Sequence, residues 1–143
     1  GASRQGSRRS PVRIGGGVAH GPHPRSYRQR LPKKMRRQAL RIALSDKIRQ
    51  ESVTIIDDLQ VDVPKSSTIR DVVAALELKG STLIITGSTD QNIVKSAGNL
   101  PGIEVQAAAL MNSLQAASFA NLVLTQEALE TIDRLWGSGG GNV

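Results

Sequence analysis

At 143 residues the chain is long enough for one domain, and a hydrophobic content of 38% can supply one core. A total of 19 Lys and Arg against 12 acids gives a formal net charge of +7 and a pI near 10.6, which points to a polyanionic partner. No run approaches the roughly 18 apolar residues that span a bilayer, and no charged stretch leading into an apolar one opens the chain, so membrane insertion is not expected. With no cysteine there is no disulfide, thiolate nucleophile or thiolate metal site, which fits a reducing intracellular setting.

The charge is unevenly placed. Residues 1–50 hold 14 Lys and Arg and the single acid Asp46, a formal +13, whereas residues 51–143 hold five basic residues against 11 acids, a formal −6. One segment therefore meets the polyanion while the other is a mildly acidic globular body. Residues 1–32 also carry six glycines and four of the six prolines, with few large apolar side chains. Pro11, Pro22, Pro24 and Pro32 remove backbone donors and force extended conformations before them, while Gly15, Gly16 and Gly17 permit positive φ or close backbone approach. The segment is expected to be an extended arm ordered only when bound. A flexible linker is the alternative, but linkers of this length rarely place Arg4, Arg8, Arg9, Arg13, Arg25, Arg28 and Arg30 without one acid among them.

Pro32 is placed to open a helix at its first turn, and the pattern then runs helically to about Ile48. At 100° per residue Lys33, Arg37 and Arg41 form one stripe, with Met35, Ala39, Ile42 and Ala43 nearly opposite. The first stripe is expected to bind and the second to pack. Leu40, Leu44 and Ile48 fall near the basic stripe, which implies burial on more sides toward the end of the helix.

Beyond it, β-rich runs at Val53–Ile56, Thr82–Ile85, Ile103–Val105 and Leu122–Leu124 alternate with helical patterns. The clearest of these has Ile69, Val72, Val73 and Leu76 at i, i+3, i+4 and i+7, with Ser66 and Ser67 as capping candidates and Gly80 as its end. Asp90 is suited to cap a shorter helix through Ile93, Val94 and Ala97, closed by Asn99 and the Pro101-Gly102 turn, and Gln126 to Leu135 gives the last. Strands alternating with helices imply an α/β fold. The expectation is a small parallel sheet of about four strands with helices on both faces, preceded by the basic Gly/Pro-rich arm. In residue terms this is an arm over 1–32, one α/β domain over 33–136 beginning with the basic helix, and a flexible Gly-rich tail over 137–143.

Such sheets often bind nucleotides at the strand C-termini, but neither G-x-G-x-x-G nor G-x-x-x-x-G-K-[ST] follows a strand here. Thr86-Gly87-Ser88-Thr89-Asp90 is a possible anion site at a helix N-terminus, though ordinary capping explains it better. His20 and His23 have no Cys or acid within twenty residues to complete a metal site, so RNA contact or solvation is the better reading. Asp57 and Asp58 end a strand with no nucleophile or base pattern beside them. Tyr27, Phe119 and Trp136 are the only aromatic residues, too few for a base-stacking platform, so phosphate charge and RNA shape must carry recognition. A nucleotide-dependent enzyme with a basic tail is the first rival, and a DNA-binding protein the second.

The run Gly15-Gly16-Gly17-Val18-Ala19-His20-Gly21-Pro22-His23-Pro24-Arg25-Ser26-Tyr27, followed by Leu31-Pro32-Lys33-Lys34-Met35-Arg36-Arg37-Gln38-Ala39-Leu40, resembles the bacterial type of the ribosomal protein L four family. The order and spacing of both motifs are the family's, and Ser3-Arg4-Gln5-Gly6-Ser7 with Ser10-Pro11 resembles the arm just upstream. Weaker similarity continues through Asp57-Asp58-Leu59, Pro64-Lys65, Asn99-Leu100-Pro101-Gly102 and Leu122-Val123-Leu124-Thr125. The family has in addition an N-terminal segment that includes the outgoing half of a long loop reaching the peptide exit tunnel. The resemblance thus implies a fragment that holds the returning arm. At Asn112-Ser113-Leu114-Gln115-Ala116 the family usually has an acid and larger apolar residues, so different packing is expected near the fourth strand.

What the resemblance implies is a non-enzymatic constituent of the large ribosomal subunit, without cofactor, metal or small-molecule substrate. Its partners are large-subunit ribosomal RNA and neighbouring ribosomal proteins, and its location is the cytoplasmic ribosome or an organellar one. The expected RNA-binding residues are Arg4, Arg8, Arg9, Arg13, Gly15, Gly16, Gly17, His20, His23, Arg25, Tyr27, Arg28, Arg30, Lys33, Lys34, Arg36, Arg37 and Arg41.

Overall fold

A computed structural model of the chain describes residue 4 and residues 6–137. It separates into two compact units, Gly1–Arg30 and Leu31–Val143. The tail expected over 137–143 lies outside the described residues beyond Gly137.

The second unit is an α/β layer structure. In chain order it runs α1 (Lys33–Arg49), β1 (Val53–Ile56), α2 (Ser66–Ala75), β2 (Thr82–Thr86), α3 (Gln91–Ala97), β3 (Ile103–Ala107), a 3-10 turn (Ala108–Leu110), α4 (Ser113–Ser118), β4 (Asn121–Thr125) and α5 (Gln126–Trp136). The strands lie in the order β1-β4-β2-β3, and every neighbouring pair is parallel. In register, Leu83 stands beside both Leu122 and Glu104, and Ile55 beside Leu124. The chain steps one way across the sheet from β1 to β2 to β3 and then back to β4. Crossovers of constant hand must therefore put the returning helix on the opposite face from the first two. This is the observed division: α2 and α3 supply Ile69, Ile93 and Ala97 to one face, and α1, α4 and α5 supply Leu40, Ala116, Ala128 and Ile132 to the other.

Alternation along the strands feeds both layers. Leu83, Ile85, Leu122 and Leu124 enter the layer under α1 and α5, whereas Ile84 and Val123 enter the one under α2 and α3. All five residues of β2 are buried, as expected of a central strand covered on both sides. Each such Leu or Ile contributes about 1.5–3 kcal/mol relative to exposure.

Several local expectations are corrected. Ser66 and Ser67 lie inside α2, whose N-cap is the extended Lys65 with no side-chain cap. That helix stops at Ala75 rather than at Gly80, because Glu77 takes φ 53 while its N–H donates to Ala74 O and the Leu78 N–H to Val73 O. Those paired bonds are a Schellman ending, which satisfies the last carbonyls without glycine. The same ending closes α1, with Glu51 at φ 55, its N–H on Ile48 O and the Ser52 N–H on Lys47 O. Gly80, at φ 90, belongs to the turn into β2. Pro32 sits at the N-cap of α1, one position earlier than expected.

Candidate nucleic-acid interface

The first unit carries no helix or strand among its described residues, yet it is not uniformly extended. Between Ser7 and Gly17 the backbone folds into consecutive turns: Ser10 N donates to Ser7 O, Arg13 N to Ser10 O, Gly16 N to Arg13 O and Gly17 N to Arg9 O. The glycines make this possible. Gly15 adopts φ 77, and a β-carbon on Gly16 would meet the Ser10 carbonyl oxygen at 2.0 Å. Close approach at Gly16 is thus to the chain's own backbone.

The cations of this unit point outward. Arg4, Arg8, Arg9, Arg13, Arg25, Arg28 and Arg30 are exposed, as are His20 and His23, and His20 holds φ 50. The Arg25 guanidinium carbon lies 4.4 Å from the centroid of the Tyr27 ring, a cation–π pair that stiffens the segment and occupies one ring face. No acid interrupts residues 4–30, so the unit presents an unneutralised row of guanidinium groups.

In the second unit, Lys33, Lys34 and Arg36 on the first turns of α1 are exposed and extend the same sign of charge. The rest of the helix departs from the expected division into a binding and a packing face. Met35 and Ile42 are each 59% exposed, while Leu40 is 2% exposed and Lys47 is also buried. Arg37, Arg41, Ala43 and Leu44 are half-buried. The packed face of α1 therefore runs through Arg37, Leu40, Arg41, Leu44 and Lys47, and the expectation that Met35, Ala39 and Ile42 pack while Arg37 and Arg41 face outward is overturned. The physical reason lies in Arg41, whose Nε donates to Trp136 O at 2.5 Å and whose Nη2 donates to Gly137 O at 2.6 Å. A guanidinium with carbonyl partners turns inward where its charge alone would send it to water. These three residues were not linked by any spacing in the sequence.

The crevice at the strand C-termini holds loop-closing contacts. Asp90 caps α3 by accepting from Asn92 N at 2.7 Å, and the Thr86 hydroxyl donates to Ser88 O at 2.7 Å. A β-carbon on Gly87 would strike the Glu127 carboxylate, so an acid already faces the turn considered for an anion. Asp57 accepts from Gln126 Nε2, and Asp58 accepts from Leu59 N and Gln60 Nε2. A cleft of about 370 Å³ beside the start of α1 is lined by Lys33, Arg36, Leu40, Met111, Ser113 and Trp136 among others, and its lining includes no Asp, Glu or His to act as a general base. Among the described residues no group of three or more His, Cys, Asp or Glu is placed to hold a metal ion, and no helix is long and apolar enough to cross a membrane.

Comparison with known proteins decides the family: the profile of the Ribosomal protein L4/L1 family matches residues 1–135. The chain belongs to this family. Its relatives include the large ribosomal subunit protein uL4 of Dehalococcoides mccartyi strain 195, 42% identical over 137 residues that make up 96% of this chain and 65% of the relative. The proteins of the same name from Staphylococcus haemolyticus and Symbiobacterium thermophilum are each 39% identical over 96% of this chain and 66% of their own length. The chain thus spans about two thirds of the length of the curated L4 relatives it matches. Members of this L4 family are structural parts of the ribosome rather than enzymes. The α/β sheet expected from the sequence is the body of this family member.

Proposed function

We propose that this L4 family member is a structural constituent of the large ribosomal subunit. It binds large-subunit ribosomal RNA through the cations of residues 4–30 and of the first turns of α1, and catalyses no reaction. The observation that carries the reading is the separation of charge: 14 Lys and Arg against one acid in residues 1–50, with those of the arm and of the start of α1 exposed. Guanidinium groups suit phosphate oxygens because their fork of donors matches a pair of acceptors. The arm, residues 1–32, is the RNA-binding element and residues 33–136 the body that carries it. Neighbouring ribosomal proteins are further partners, with no cofactor, and the cytoplasmic ribosome is the location that follows.

The test is a filter-binding titration of the chain with transcribed segments of large-subunit ribosomal RNA and with an unrelated RNA duplex of equal length. One ribosomal segment should bind more tightly than the duplex at matched salt, and hydrogen exchange over residues 4–30 should slow when it does. Equal affinity for all RNAs would remove the ribosomal reading and leave only a non-specific polycation.

A further inference from the structure

Arg41 lies about two turns beyond Lys33 on α1, and its two carbonyl partners sit at the other end of the unit's sequence. Trp136 is the last residue of α5 and Gly137 the one that follows. The final carbonyls of a helix have no partner within it and carry the negative end of its dipole. A planar guanidinium reaches two successive carbonyls at once, with Nε on one and Nη2 on the other, which a single ammonium does not reproduce. The receiving side is equally specific. Gly137 N donates to Asp133 O at 2.8 Å, and a β-carbon on Gly137 would stand 2.3 Å from that same backbone oxygen. Only glycine lets the chain leave α5 along the line that offers its carbonyl to Arg41.

We infer that Arg41 is a positioning residue for the RNA interface: it fixes α1 against the end of α5, thereby aiming Lys33, Lys34 and Arg36, and it makes no phosphate contact of its own. The inference rests on the proposed reading of α1 as RNA-binding. It assigns Arg41 a role different from that of the neighbouring cations, although all share one helix and one sign of charge.

Three variants test it: Arg41→Ala, Arg41→Lys, which keeps the charge and the alkyl stem, and Gly137→Ala, which disturbs the acceptor and removes no charge. Each is titrated with the ribosomal RNA segment at several salt concentrations, and cooperative thermal unfolding verifies that each is folded. All three should bind roughly fivefold more weakly, the equivalent of one lost interaction of about 1 kcal/mol, with the slope of log affinity against log salt unchanged. A direct phosphate contact predicts another pattern: Arg41→Ala flattens the slope by about 0.7–0.9, Arg41→Lys restores it, and Gly137→Ala binds like the unaltered chain. That pattern overturns the inference, as does unchanged affinity in all three. If the unaltered chain has no RNA affinity, the functional reading itself fails, and the two failures are told apart.

Discussion

The carbonyl oxygen of Ser10 stands where a β-carbon on residue 16 would fall, so the turn in which Gly16 N donates to Arg13 O and Gly17 N to Arg9 O exists only with glycine at that position. Gly16→Ala should open this turn, because the obstructing atom is backbone and cannot rotate aside. With strained backbone sites costing about 1–3 kcal/mol, RNA affinity should fall about fivefold or more. The thermal midpoint of the α/β body should stay where it is, since the turn lies in a separate unit. Filter binding and a melting curve on the same sample check both halves, and a lowered midpoint with intact affinity would reverse the assignment.

A second prediction uses charge. Arg28, Arg30, Lys33 and Arg36 are exposed, whereas Lys79, Lys95 and Arg134 are equally exposed on the acidic body. Replacing the first four together by Ala should lower the log–log salt slope by roughly three, at about 0.7–0.9 per phosphate. Replacing the three body cations should leave slope and affinity nearly unchanged. A control set that flattens the slope as much as the first would move the RNA onto the sheet domain.

The strands and the parallel architecture were legible because Val53–Ile56, Thr82–Ile85 and Leu122–Leu124 are β-branched or aliphatic runs between turn residues, a pattern with few alternatives. Asp90 was legible as a cap for a similar reason, its short carboxylate reaching the N–H two residues on. The face of α1 was not, since a helical wheel weighs Arg41 by charge and cannot register two carbonyls ninety-odd positions away. Helix α4 was missed although a signal was present. Asn112 Oδ1 accepts from Gln115 N, and its side-chain Nδ2 donates to Gln115 Oε1, a side-chain N-cap written in the sequence as N-x-x-Q. The helix endings failed for the opposite reason: the rule favours Gly or Asn at the left-handed position, and this chain uses glutamate twice.

Those two glutamates give a third prediction. Glu51 at φ 55 and Glu77 at φ 53 occupy backbone that disfavours any β-carbon, and both side chains are exposed. Glu51→Gly and Glu77→Gly should each raise stability by about 0.5–1 kcal/mol, the relief of strain exceeding the added freedom of the unfolded chain. The two sites end different helices, so the gains should add in urea unfolding. A loss of stability in either would show that the glutamate side chain contributes more than its backbone strain costs.

The fourth concerns Thr82, at the start of β2. It is 0% exposed, and its hydroxyl oxygen has no hydrogen-bond partner among the described residues. Thr82→Val keeps the branched shape and removes the unsatisfied group, so stability should rise by about 1 kcal/mol. RNA affinity should not move. Denaturant midpoints of the two proteins decide it, and a destabilised valine variant would show that the hydroxyl has a partner.

The position of β4 also sets a timetable. Strand β1 pairs with β4, the last of the described strands in chain order, so among the described residues Val53–Ile56 have no neighbouring strand until Asn121–Thr125 have been synthesised. At about 5–20 residues per second the intervening stretch takes on the order of 3–13 seconds. During that interval the residues up to Arg49 have already been polymerised while the four-stranded sheet is still open. On the proposed reading, the cations of residues 4–36 are thus available to RNA before β4 closes the sheet.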